Sequence, residues 1–295
     1  MTGSLDAKVD VRGLAAFSLL VGLVGANLVA IRLSNRELAP FWNAALRFGI
    51  STAGFALVAL LRRAPLPRPR VALGAAVYGF LAFAAFFGFI YVGLVHTPVA
   101  LAQTILALGP LITLAMAVAA GIERPSVRAI GGGLVAVAGI VIVYGFASPA
   151  QLPWTAILAV LAAAISFAAA GIVAKRLPQA DPVVHNGIAA AVGGSVLLGL
   201  SAVAREPWLL PARPETWVAL IYLAIPGTIV VFLLFLFLVR RWPASRVAYQ
   251  FVLAPLVAIG LAALILGESI TPAIVVGAAI VVLGVYVGAL KSRPA

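Results

Sequence analysis

Apolar residues fill this chain in long blocks, and polar residues collect in the short gaps between them. Runs of 18 or more residues with almost no charge predict membrane-spanning helices, not barrel strands of about 10 alternating residues. Ten such helices are expected, at roughly 12–32, 39–61, 71–93, 98–120, 126–146, 153–174, 183–204, 216–239, 244–266 and 272–290. Each is close to the ~20 residues needed to cross a hydrocarbon core of ~30 Å. Turn and capping residues mark the connections: Pro65 to Pro69, Ser148-Pro149, Asp181-Pro182, Pro211 to Pro214 and Thr271-Pro272.

Composition agrees. Of 295 residues, 64% are hydrophobic and 9% charged. Soluble domains carry about 25% charged residues, so a water-facing surface cannot be assembled here. Lys8 and Arg12 precede the first apolar run, as in a signal peptide. That run is too long for an ordinary signal core and no small-residue cleavage site follows it, so a retained first helix is expected.

The net charge of +12 is distributed in clusters between the apolar runs, a pattern that fits membrane orientation better than nucleic-acid binding. With a cytoplasmic N-terminus, that side holds fifteen Lys and Arg and the opposite side four: Arg32, Arg36, Arg205 and Arg213. Arg47 lies inside the second helix. Both termini are therefore expected in the cytoplasm. Trp42, Trp154, Trp217 and Trp242 fall near helix ends, where interfacial anchors belong. There are no cysteines and only two histidines, His96 and His185, so no metal site or cofactor is expected.

A shift of 145 residues overlays the second half on the first. Phe87 meets Phe232, Pro98 meets Pro243, Leu108 meets Leu253, Pro110 meets Pro255, Glu123 meets Glu268, Gly132 meets Gly277 and Gly139 meets Gly284. Matches at rare Pro and Glu positions, ungapped over some fifty residues, outweigh any number of matched alanines. Five helices per copy is an odd number, so the second copy must enter the membrane from the other side. The expected architecture is all-α: two inverted five-helix repeats, 1–147 and 148–295. In such carriers the site lies near the midplane between repeats.

The stretches "LALGPLITLAMAVAAGIERPSVRAIGGGLVAVAGIVIVYG" (106–145) and "FVLAPLVAIGLAALILGESITPAIVVGAAIVVLGVYVG" (251–288) resemble the paired EamA domains of the drug/metabolite transporter superfamily. "GANLVAIRLSNRELAPFWNAALRFGI" (25–50) is similar to the opening of the same domain. The first copy departs at Gly121-Ile122-Glu123, where its glycine sits one residue early. The resemblance implies export of small metabolites across a bacterial inner membrane, and bacterial amino-acid exporters, including those for aromatic amino acids, are the most similar. It also implies a central cavity lined by helices 1, 3, 4, 6, 8 and 9. A carrier of sugar phosphates or lipid-linked sugars would need more intramembrane basic groups than Arg47. An intramembrane enzyme would need a nucleophile–base pair or metal ligands within the helices, and neither is present in the sequence.

The candidate residues follow from the cost of polarity in hydrocarbon. No acid falls inside a predicted helix, so coupling through a midplane carboxylate is not expected. Asn27, Arg47, Tyr78, Phe83, Gln103, Ser166, Tyr222 and Tyr249 are the expected cavity residues. For Asn43 and Ser166 interhelical hydrogen bonding is the favoured role. Two readings stay open for Arg47: snorkelling to the outer surface, or acting as counter-charge to a substrate carboxylate. Pro110, Pro226-Gly227 and Pro255 should interrupt their helices' hydrogen-bond ladders and serve as gating bends or free carbonyls. Glu123 and Glu268 end helices and are expected to fix the turns that follow. The expected partners are a small-molecule substrate and the lipid bilayer; a monomer would suffice.

Overall fold

A computed structural model describes residues 10–119, 121, 127–146, 152–177, 180–239, 241, 242, 247 and 250–287. Among them the chain is helical throughout and contains no strand. The helices are α1 (Val11–Ser34), α2 (Pro40–Leu61), α3 (Pro69–His96), α4 (Val99–Ala119), α5 (Val127–Phe146), α6 (Trp154–Arg176) and α7 (Pro182–Val203). They continue with α8 (Pro214–Ala224, Ile225–Val230 and Val231–Val239), α9 (Gln250–Leu261 and Ala262–Leu266) and α10 (Pro272–Val285). Among the described residues seven of these helices, α1–α4 and α6–α8, are long and apolar enough to cross a membrane. The apolar runs of α5, α9 and α10 are shorter, at 10–17 residues.

Helix starts obey local chemistry. Proline opens α2, α3, α7, α8 and α10, where a missing N–H costs nothing. Asp10, Asp181 and Thr271 cap α1, α7 and α10 with their side-chain oxygens. The outer surface stays apolar, with Leu60, Val127 and Leu264 turned outwards, as expected of helices that meet lipid.

Proline and glycine act less uniformly than expected. Pro226 lies in a π-turn, Ile225–Val230, through which α8 continues. Similar turns occur in α3 at Phe80–Ala85 and at the end of α9, Ala262–Leu266. Pro110 is not an interior kink: α4 breaks at Ala107–Leu108 and restarts at Gly109, so Pro110 is second in a new segment. There a proline loses nothing. Pro255 lies inside α9. Gly267 ends α9 in the left-handed region (φ 71°), and Gly121, after α4, does the same (φ 69°) despite its one-residue offset in the repeat.

Helix contacts repeat in a fixed pattern. The most extensive crossings are α5 on α10 and α2 on α7. The contacts α1–α9, α1–α8 and α3–α7 have counterparts in α4–α6, α3–α6 and α2–α8. Advance every helix number by five and the set reproduces itself. At the α2–α7 crossing Phe48 faces Gly194 and Phe55 faces Gly187, so the two helices run antiparallel. At the α5–α10 crossing Gly139 lies on Gly277 and Gly284 lies on Gly132, again antiparallel. Each of these two contacts becomes the other under the 145-residue shift.

The glycines at that crossing cannot be enlarged. A Cβ on Gly139 would stand 2.7 Å from the Gly277 carbonyl oxygen and 2.8 Å from Val281 Cγ2. Gly139→Leu is therefore expected to lose about 1–3 kcal/mol of stability, read as a lowered melting midpoint in detergent. Gly131 has no neighbour within 4 Å, so Gly131→Ala should remain within about 0.5 kcal/mol of the parent protein. Equal losses for the two would show that the α5–α10 crossing is not set by close packing.

Candidate functional site

The break in α8 organises the polar residues of the interior. Pro226 has no N–H to donate, and the π-turn around it puts carbonyls out of step with the helical ladder. Hydrocarbon supplies no substitute, so side chains must. Thr228 Oγ1 donates to Leu223 O at 2.7 Å. Ser51 of α2 donates to Ala224 O at 2.9 Å. Gly227 O accepts from Asn27 Nδ2 of α1 at 3.1 Å and from Arg47 Nη2 of α2 at 3.3 Å. Three helices from both halves of the chain therefore meet over one turn of backbone.

Arg47 is the centre of this cluster. Only 1% of it is exposed, which rules out snorkelling. Its Nε donates to Thr228 Oγ1 at 3.0 Å, and its guanidinium carbon lies 4.4 Å from the centroid of the Phe87 ring. The ion pairs among the described residues are Arg32–Glu268 and Asp10–Arg241; neither reaches Arg47. Its Nη1 is buried without a hydrogen-bond partner, and so are Tyr91 Oη and Asn27 Oδ1. Tyr91 is fully buried and interacts with the Arg47 guanidinium, though the two close no hydrogen bond of ordinary geometry.

The expected cavity residues divide. Asn27, Arg47, Tyr222, Pro226 and Gly227 come together; Tyr222 Oη donates to Leu23 O on α1 at 2.7 Å. Phe83 packs beside them, 5.1 Å from Phe48 and 5.6 Å from Phe232 between ring centroids. Tyr78 lies farther along α3 against His185, at 5.0 Å. Gln103 is buried on α4 but contributes no bond to the cluster. Ser166 donates to Ala162 O on its own helix, not to a neighbouring one. Tyr249 and Glu123 lie outside the described residues. Sequence reasoning missed Ser51, Phe87, Tyr91 and Thr228. Two of these carried a signal: Ser51 is one turn after Arg47 on the same face, and Thr228 directly follows Pro226-Gly227.

A second polar group closes the end of the bundle where α1 finishes. Both Glu268 carboxylate oxygens accept from Val99 N, at 3.1 and 3.0 Å, and Arg32 Nε stands 3.2 Å away. Pro98 precedes Val99, so Glu268 caps the start of α4 from 169 residues away. Arg32 Nη1 also donates to Leu94 O at 2.8 Å and Thr97 O at 2.6 Å. Asn35 Nδ2 donates to Tyr91 O at 2.8 Å. The glutamate expected to fix the α9–α10 turn also joins that turn to α1 and the α3–α4 junction. Nearby, Glu206 accepts from Phe41 N and Trp42 N, and the Trp42 ring stacks on Trp208 at 5.4 Å. Asn43 bonds Ser34 Oγ and Asn35 Oδ1, joining α2 to the end of α1.

Two carboxylates outside the spans are held below their ordinary range. Hydrogen bonds from Thr216 and from the Ala212 and Arg213 N–H groups do this for Glu37. For Asp10 the Arg241 guanidinium does most, helped by Gly13 N–H and the Trp242 indole.

The fold is that of a polytopic helical membrane protein with its polar chemistry buried between two like halves. Residues 11–145 and 154–289 each match the EamA-like transporter family, and the chain belongs to that family. It is 29% identical over 261 residues to the inner membrane transporter YedA of Escherichia coli (strain K12), covering 87% of this chain and 83% of YedA. A probable amino-acid metabolite efflux pump of Salmonella typhimurium is 25% identical over 287 residues, covering 93% and 94%. One solved crystal structure superposes with a TM-score of 0.67 over 95% of this chain and 98% of its own, at 22% identity, which speaks for the fold alone.

Two outcomes follow. Glu268→Ala leaves Arg32 unpaired and the start of α4 uncapped; losing charge-assisted bonds of this kind is expected to cost about 1.5–3 kcal/mol, read by thermal unfolding in detergent. An unchanged midpoint would show that the clamp holds nothing. Glu37 has a lowered carboxyl pKa, so its stabilisation is full above the ordinary value of 4.5 and is lost as pH falls through the folded value. The acid-side loss of stability should therefore shrink in Glu37→Gln, and an identical acid limb in both proteins would contradict the contact.

Proposed function

We propose that this protein is a secondary transporter that exports small organic metabolites, with amino acids the first substrate class, by alternating access between two inverted five-helix repeats. The observation that carries this reading is the polar cluster at membrane depth. It joins Asn27 and Arg47 of the first half to the broken α8 of the second. Discontinuous helices meeting polar side chains at a repeat interface are how such carriers build a site.

The inverted arrangement is supported by the antiparallel run of the paired helices α2/α7 and α5/α10. Ten spans are reached when the three shorter apolar helices are counted with the seven long ones. A bacterial inner membrane is supported by the likeness to YedA, and cytoplasmic termini by the fifteen-to-four distribution of Lys and Arg. The amino-acid assignment draws on the likeness to the Salmonella efflux pump and on the buried cation itself. Transport, not catalysis, is the activity these features serve.

Purified protein in liposomes loaded with unlabelled amino acids should take up labelled ones by saturable counterflow. Runs with and without an imposed pH gradient will reveal proton coupling. Counterflow no greater than in protein-free liposomes across all amino acids would overturn the proposal.

A further inference from the structure

We infer that Arg47 and Tyr91 form the receptor for the carboxylate group of the carried molecule. The inference rests on the transport reading above and adds to it a substrate group and the atoms that recognise it.

Arg47 is enclosed at membrane depth, where an uncompensated cation is costly. The described acids are committed elsewhere. Asp10 pairs with Arg241, Glu268 with Arg32, Glu206 caps α2, Asp181 caps α7 and Glu37 bonds the backbone before α8. Glu215 belongs to the first turn of α8. Among the described residues, then, no acid pairs with the buried guanidinium.

Hydrogen bonding makes the same point atom by atom. A guanidinium carries five N–H donors in a rigid fork. Thr228 takes Nε, and Gly227 O takes one N–H of Nη2 at 3.3 Å, which is long for such a bond. Nη1 has no partner, and neither has the Tyr91 hydroxyl beside it. Both N–H groups of Nη1 and the Tyr91 O–H therefore lie buried without a hydrogen bond of ordinary geometry. A carboxylate, with two oxygens and about four lone-pair directions, accepts such a set and neutralises the charge. The guanidinium carbon also lies 4.4 Å from the Phe87 ring centroid and 5.1 Å from that of Phe48, so aromatic faces and not acids surround the charge.

A purely structural Arg47 would cap the π-turn and nothing more, and the two roles differ at Tyr91. Its hydroxyl interacts with Arg47 but closes no hydrogen bond of ordinary geometry, so removing it costs the fold little. Removing it from a bound carboxylate loses one charge-assisted hydrogen bond.

The test is counterflow of labelled L-phenylalanine and L-leucine by wild-type and Tyr91→Phe protein, with free amino acids or their amides as competitors. Tyr91→Phe is expected to raise the half-saturating concentration about tenfold, with the melting temperature shifted little. The amides, lacking the carboxylate, should not compete. Arg47→Lys keeps the charge but not the fork, and should weaken half-saturation further. Equal competition by acid and amide, or an unshifted half-saturation in Tyr91→Phe, overturns the carboxylate receptor and leaves the transport reading standing. A wild-type protein that moves no amino acid removes both.

Discussion

The break in α8 at Pro226 is the constraint on which the interior depends. A membrane helix can lose backbone hydrogen bonds only where something other than lipid replaces them. Here the replacements are Asn27, Arg47, Ser51 and Thr228, all directed at the carbonyls of one irregular turn. That need explains why polar residues at positions far apart in the chain occupy one place. It also explains why Arg47 is buried against the pull of water: two of its nitrogens have work inside.

The arrangement ties the halves of the chain at two depths. At the α8 cluster the bonds are few and one is long, so the contact can be exchanged without breaking a tightly packed core. At the end of α1 the Arg32–Glu268 contact and its carbonyl bonds form a denser knot. Asn35 links the two levels, because its partner is the carbonyl of Tyr91, the residue whose hydroxyl faces Arg47. A change at one level is thus placed to be felt at the other through a single turn of α3.

Much of this was legible in the sequence, and for clear reasons. Hydrophobic blocks bounded by proline gave helix positions, because crossing a bilayer fixes both length and composition. Asn27, Arg47, Tyr222 and Pro226-Gly227 stood out because polar and helix-breaking residues are expensive there. What stayed hidden was pairing. Nothing local to Glu268 points to Val99, and nothing local to Arg47 says whether it rises to the surface or turns inward. Tyr91 could not be told from the six other aromatics expected on its helix, most of which pack or face lipid. The π-turns were hidden for the same reason: Pro226 announces a fault in the ladder, but neighbours decide whether the helix bends, restarts as at Gly109, or swells into a wider turn.

The cluster also has the energetic form that a carrier requires. A ligand shifts a conformational balance only by as much as it binds one state better than the other. An arginine satisfied wholly by protein would give a ligand nothing to add, and one exposed to water would give it little. Arg47 is between these limits, with its Nε held, its Nη2 loosely held and its Nη1 unspent. Separation of α8 from α1 and α2 would cost the Gly227 contacts and leave the cation poorer. A carboxylate bound as proposed would offset that loss. Under the proposed transport cycle, the same charge that makes the closed interior expensive would make its opening dependent on what is bound.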